Sequence, residues 1–182
     1  MATPFHVEIV TPERVLHSGE AEEVSMRTDA GEIAFLAHHE DFIGAADITV
    51  VRVRSHAADA GEAGDAEGSE LRFAVHGGFV HVDQDADTVT ILAGVAERGD
   101  QIDVGRARAA LAAAEERFAT EGPAAEQRTG TEAAPAAVAE EAPPTAARLS
   151  GAMVGLLAPE SAEAALRRAR ARLEAAGAAE PV

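Results

Sequence analysis

Apolar and polar residues alternate through the first hundred positions of the chain and then change period. Phe5, Val7 and Ile9 are interleaved with His6 and Glu8, the pattern of a strand with one buried and one wet face. Val24 and Met26 alternate with Ser25 and Arg27, and Ile33 and Phe35 follow the turn Asp29-Ala30-Gly31. Leu71, Phe73 and Val75, then Val89 and Ile91, repeat the motif. Ile48, Val50 and Val53 predict a further strand in which the doublet Val50-Val51 reads as a β-bulge. Thr11-Pro12-Glu13-Arg14, Gly77-Gly78 and Asp83-Gln84-Asp85-Ala86-Asp87 are turn signals, the glycine pair permitting φ > 0 between two strands. About ten short strands at this spacing predict an antiparallel β-sandwich over residues 1–100, its two apolar faces packed on each other with no need of a helix.

Beyond Ile102 the apolar residues recur at helical spacing. Asp103 stands at an N-cap, and Val104, Ala107, Leu111, Ala114 and Phe118 follow on one stripe, predicting a helix over about 103–120 that stops before Gly122-Pro123. Ser161 begins a second helix over about 161–176, with Leu166, Ala169, Leu173 and Ala176 on one face and Gly177 behind it. Residues 122–159, rich in Ala, Pro, Glu and Thr, read as a disordered linker. The fold class expected is β + α, a 1–100 sandwich domain followed by a 101–182 two-helix hairpin. Both helical seams are Ala-rich, so the pair is expected to be weakly held. Residues 55–70 hold Gly61, Gly64, Gly68, five carboxylates and nothing apolar larger than Ala, the composition of an exposed hairpin loop.

Charge narrows the partners. The 32 acidic residues outnumber 15 basic ones, all Arg, for a net charge of -17. Residues 1–100 carry 20 acidic and 6 basic side chains, and residues 101–182 carry 12 and 9. Such a chain repels phosphate backbones and anionic headgroups, which argues against nucleic acid and against direct insertion into lipid. There is no Cys for a disulfide or a thiolate, no apolar run near the roughly 18 residues of a membrane span, and no basic-then-apolar leader, so a cytosolic setting is expected. His38-His39-Glu40-Asp41, with His76 and His81, is raw material for a metal site on a cupin-like sandwich. Adjacent histidines point apart on a strand, however, and convergent His-x-His spacing is missing, so no metal is expected. No serine sits in a Gly-x-Ser-x-Gly elbow and no phosphate-loop pattern occurs. The residues by themselves therefore argue no catalytic constellation, and a cupin-like metalloenzyme and a stand-alone nucleotide-sensing sandwich are the alternatives to the reading that follows.

Four stretches in order carry a resemblance. They are Val7-Glu8-Ile9-Val10-Thr11-Pro12-Glu13-Arg14 continued by Ser18 to Val24, then Gly31-Glu32-Ile33 with His39, then Val75-His76-Gly77-Gly78-Phe79 leading to Ala96-Glu97, then Ile102-Asp103-Val104-Gly105-Arg106-Ala107. Together they resemble the epsilon subunit of F-type ATP synthases across about 100 residues. Ala34 and Ala37 stand where that family commonly has Gly and Pro, and His38 where a small residue is usual. The resemblance implies a rotor component of the central stalk, at the cytoplasmic face of the cell membrane and peripheral to it. It would couple proton flow through the membrane ring to ATP synthesis in the catalytic head. The implied partners are the gamma subunit, the ring of c subunits through Glu32, His38 and His39, and the catalytic beta subunits through the C-terminal helices, which in relatives can inhibit ATP hydrolysis. No cofactor is required, but some relatives bind regulatory ATP. Glu97, Ile102, Asp103, Arg106 and Ala107 match one part of that site, and Arg168 and Arg172, one helical turn apart, match the other.

Overall fold

The computed structural model describes residues 3–55, 70–121 and 161–178. The interior of the predicted 55–70 loop and the whole predicted 122–159 linker lie outside the described residues. Among the described residues there are seven strands: β1 (Phe5–Val10), β2 (Val15–Thr28), β3 (Gly31–Phe35), β4 (Phe42–Ser55), β5 (Glu70–Asp83), β6 (Thr88–Ala93) and β7 (Ala96–Arg98). A 3-10 turn at Gly99–Gln101 leads to helix α1 (Val104–Glu121), and α2 covers Ala162–Ala175.

Neighbouring strands run β1-β6-β5-β4-β2-β3, and a further β1–β2 pairing closes five of them into a flattened barrel. β3 extends from β2, and β7 pairs with β5. All pairings are antiparallel except β1 with β6. The alternation seen in the sequence sorts as expected: Phe5, Val7, Ile9, Val24, Phe35, Val53, Phe73, Val75, Val80, Val89 and Ile91 are buried and point inward. Closure removes the free sheet edges of the five ring strands.

Ten short strands become seven because three of them, β2, β4 and β5, run for 14 residues each and serve both layers. Gly77 and Gly78 do not separate two strands. They lie inside β5 at φ 86° and 152°, where the chain bends from one layer into the other. A Cβ on Gly78 would meet the Leu92 carbonyl oxygen at 2.1 Å, so β6 can pass this close only over glycine. The doublet Val50-Val51 lies in the stretch of β4 between Ala46 and Arg52 over which the register against β2 shifts, so a bulge-like irregularity is present on that side. Against β5 the register is unbroken, Val50 pairing with Ala74 and Val51 with Phe73. Both are buried because Val51 enters the barrel core while Val50 faces a second cluster beneath the helices.

That second cluster joins Val50 and Ala74 of the sheet to Ile102, Ala107, Ala171, Leu173 and Ala175. One face of the barrel therefore does recruit a helix. α2 lies between the sheet and α1, which is why Ala171 and Ala175 are buried in addition to Ala169 and Leu173. Its ends are well formed. The Ser161 hydroxyl accepts from the Ala164 N–H at 3.1 Å. Gly177 at φ 67° allows the Gly177 and Ala178 N–H groups to return to the carbonyls of Glu174 and Leu173. Asp103 caps α1, its carboxylate accepting from the Arg106 N–H at 2.9 Å. No helix among the described residues is long and apolar enough to cross a membrane.

Candidate functional site

Two faces of the barrel differ in what covers them. On the face under α2, alternate residues of β4 (Ile48, Val50, Arg52) and β5 (Arg72, Ala74, His76) point outward, with Glu97 of β7 in register with Ala74. Three ion pairs tie α2 to this face: Arg52 with Glu174, Arg167 with Asp47 at 3.3 Å, and Arg172 with Glu97 at 2.5 and 2.7 Å. On the opposite face nothing lies over the sheet among the described residues. There Val15, Val10, Leu92, Phe79 and Ala45 form one cross-strand row over β2, β1, β6, β5 and β4. Val15, Leu92 and Phe79 are 55%, 48% and 57% exposed, far beyond what core-forming residue types usually show when they line up side by side.

Between α2 and the edge of the sheet is a cavity of about 360 Å³, lined by His76, Val95, Glu97, Ala110, Ala165, Arg168, Ala169 and Arg172. Its size lies in the small-molecule range. Two guanidiniums one helical turn apart offer forked donors suited to phosphate oxygens, and Glu97 already occupies one of them. The structure thus brings Glu97, Arg168 and Arg172 together. Ile102 and Ala107 are instead buried in the cluster beneath α2. Asp103 is engaged as the α1 cap, and Arg106 is exposed, one turn before Ala110 on the same helix.

His76 is the cavity residue that the sequence reading did not place here, having considered it only as a distant metal ligand. Its backbone N–H donates to the Val95 carbonyl at 3.0 Å, and its ring Nε2 is sealed from solvent without a hydrogen-bond partner. Burial first, then the Arg168 and Arg172 charges, lower the imidazole to about 4, with Glu97 opposing them. The available signal was parity: His76 falls two residues after Ala74, on the side away from Phe73 and Val75.

The residues matched to a ring contact are spread out. Glu32 is exposed at the start of β3, beside a groove of about 510 Å³ along α2 whose lining also includes Arg27, Asp47, Arg52, Arg167 and Arg170. His38 and His39 follow the other end of β3. His38 sits at φ 61°, which accounts for a small residue being usual there, and its N–H is fixed by Asp87 Oδ1 at 2.8 Å. The His39 ring packs edge-on against Phe35 at 5.1 Å and Phe42 at 6.3 Å, with Nδ1 at 2.8 Å from the Glu40 carbonyl. These two histidines shape a turn. Among the described residues no three His, Asp or Glu groups converge as a metal site.

A closed barrel with one open apolar face and one helix-capped face is a docking body, the architecture of a non-catalytic subunit within a larger assembly. Residues 4–99 match the family model described as ATP synthase, Delta/Epsilon chain, beta-sandwich domain. The ATP synthase epsilon chain of Thermobifida fusca is 46% identical over 110 residues, which cover 60% of this chain and 73% of that protein. That of Carboxydothermus hydrogenoformans is 37% identical over 123 residues, covering 68% and 82%. In the solved mitochondrial ATP synthase of Euglena gracilis, a chain superposes with a TM-score of 0.55 at 20% identity, covering 68% of this chain and 71% of that one, a likeness of fold. The chain belongs to this family as an epsilon subunit of F-type ATP synthase, a non-catalytic part of a membrane-associated complex.

Proposed function

We propose that this subunit works as a coupling wedge of the central stalk, on the cytoplasmic side of the membrane, with the open barrel face seated on the gamma subunit. The row Val15–Val10–Leu92–Phe79–Ala45 carries this reading. Covering a Phe, a Leu or a Val contributes roughly 1.5–3 kcal/mol each when burial is complete, so this row can supply the centre of a stable interface. A body closed by strand pairing on all sides is stiff enough to transmit twist. Its rotation with gamma then couples proton flow through the ring to the catalytic head. The turn bearing His38 and His39, with exposed Leu36 beside it, is the surface offered to the polar loops of the c ring, and Glu32 is a more remote contributor. Replacing Phe79 with Asp in the full chain should abolish co-purification with gamma, since a charge would be desolvated at the centre of the contact. Undiminished co-purification would refute the assignment of this face.

The helices are the regulatory part of the same reading. α2 is held through Ala methyls, Leu173 and three partly exposed ion pairs, so it can leave the sheet at a cost of a few kcal/mol and reach toward the catalytic beta subunits. The cavity at Arg168 and Arg172 suits the phosphate end of a regulatory ATP, and such a ligand would strengthen the docked form by mass action. Ile102, Asp103 and Ala107 serve this site by setting the start of α1, and Arg106 stands outside it.

A further inference from the structure

We propose that an anion entering the cavity at Arg168 and Arg172 is bound together with a proton, which is taken up by His76. The proposal rests on the reading of this cavity as a nucleotide site and adds a protonation step to it. The groups that face the imidazole are few. α2 contributes Arg168 and Arg172, β7 contributes Glu97, and α1 contributes the methyl of Ala110. The residue in register on β4 is Ile48. Glu97, the single carboxylate among these groups, is already held by Arg172 at 2.5 Å. With two cations beside it and little water, the ring stays neutral throughout the physiological range. Its Nε2 is then left without a partner and shut off from water, in a residue that lines the same cavity as the two guanidiniums.

A polyphosphate alters the charge around the ring. It neutralises the guanidinium field and adds negative charge of its own beside the ring. An opposite charge within about 4–6 Å raises a histidine by roughly one to three pH units. Starting from about 4, that carries His76 to the edge of neutrality in the bound state only. Because the bound form then holds one proton more than the free form, affinity must rise as pH falls, by at most about tenfold per pH unit. The proton comes from solvent and no other reactant is required.

The test is calorimetry of the full chain with ATP at pH 8 and pH 6, for wild type and His76→Gln. The titration of ATP itself is common to both proteins and cancels in the comparison. Wild type should gain more affinity than the variant between these two pH values, about twofold for a bound-state midpoint near 6 and about tenfold for one near 7, and heats measured in buffers of different ionisation enthalpy should report net proton uptake. Independently of how the variant folds, the ring proton signal of His76 in wild type should titrate with a higher midpoint once ATP is added. Equal pH dependence in the two proteins, or an unmoved midpoint with ATP bound, overturns the proton uptake and leaves the nucleotide site standing. Absence of ATP binding to wild type at either pH removes the nucleotide site and the proposal together.

Discussion

The two outer faces of the barrel are built from the same strands yet solve opposite problems. Beneath α2 the sheet presents Val50, Ala74 and Ile48, small or medium apolar groups ringed by Arg52, Asp47 and Glu97, and the chain covers them itself. The other face presents Phe79, Leu92 and Val15, with His81, Thr90 and the exposed Ile43 in the next row, and leaves them open. A reversible cover needs modest apolar area and ion pairs that water can replace. A permanent seat on a partner needs large side chains and no internal competitor. On the proposed function, the difference separates a surface for switching from one for holding.

That contrast can be broken in three places. The largest effect is expected from Leu173→Ala, which removes a side chain that is 5% exposed under α2 and should weaken helix docking by about 2–4 kcal/mol. Hydrogen exchange should quicken in α2 while the Phe73 and Val75 amides remain protected; loss of protection throughout would mean that barrel and helix are one cooperative unit. Next is acid. His76 is lowered to about 4 in the folded state from 6.5, so between those values the unfolded chain binds more protons, and stability falls as pH drops through the window. After allowance for solvent screening the loss is about 2 kcal/mol, complete near pH 4, and His76→Gln should be flatter by that amount in denaturant titrations at pH 7 and pH 4.5. The smallest effect belongs to the open face. Phe79→Asp should change the stability of the isolated chain by no more than about 0.5 kcal/mol, because its ring is already 57% exposed; a loss above 2 kcal/mol would show that the face is structural.

Parity and spacing sufficed wherever one rule acted alone. Inward residues such as Val7, Phe73 and Ile91 were legible because a half-buried strand must alternate, and Asp103 and Ser161 because orphan N–H groups need acceptors. The strand count was not legible. A glycine pair signals left-handed backbone equally well in a turn between strands and in a bend within one, and only the Leu92 carbonyl lying 2.1 Å from a hypothetical Cβ distinguishes them. At Val50-Val51 two causes coincide: both faces are covered there, and the register of β4 against β2 shifts between Arg52 and Ala46. At the candidate site, helical spacing put Arg168 and Arg172 on one face, yet nothing local could say that Glu97 would meet them or that Arg106 would not.

By itself the chain determined its alternating barrel core, its two capped helices, its acidity and its family, since each depends on near neighbours or on an ordered set of motifs. Tertiary structure alone decided that three strands bend through both layers, that α2 covers one face and leaves five apolar side chains in a row on the other, and that His76 ends beside two arginines. Those outcomes depend on pairing between residues far apart in sequence, as when Arg172 meets Glu97 across 75 positions. Such pairings are selected by closure of the sheet and by packing of the whole body, and no short stretch of chain contains them.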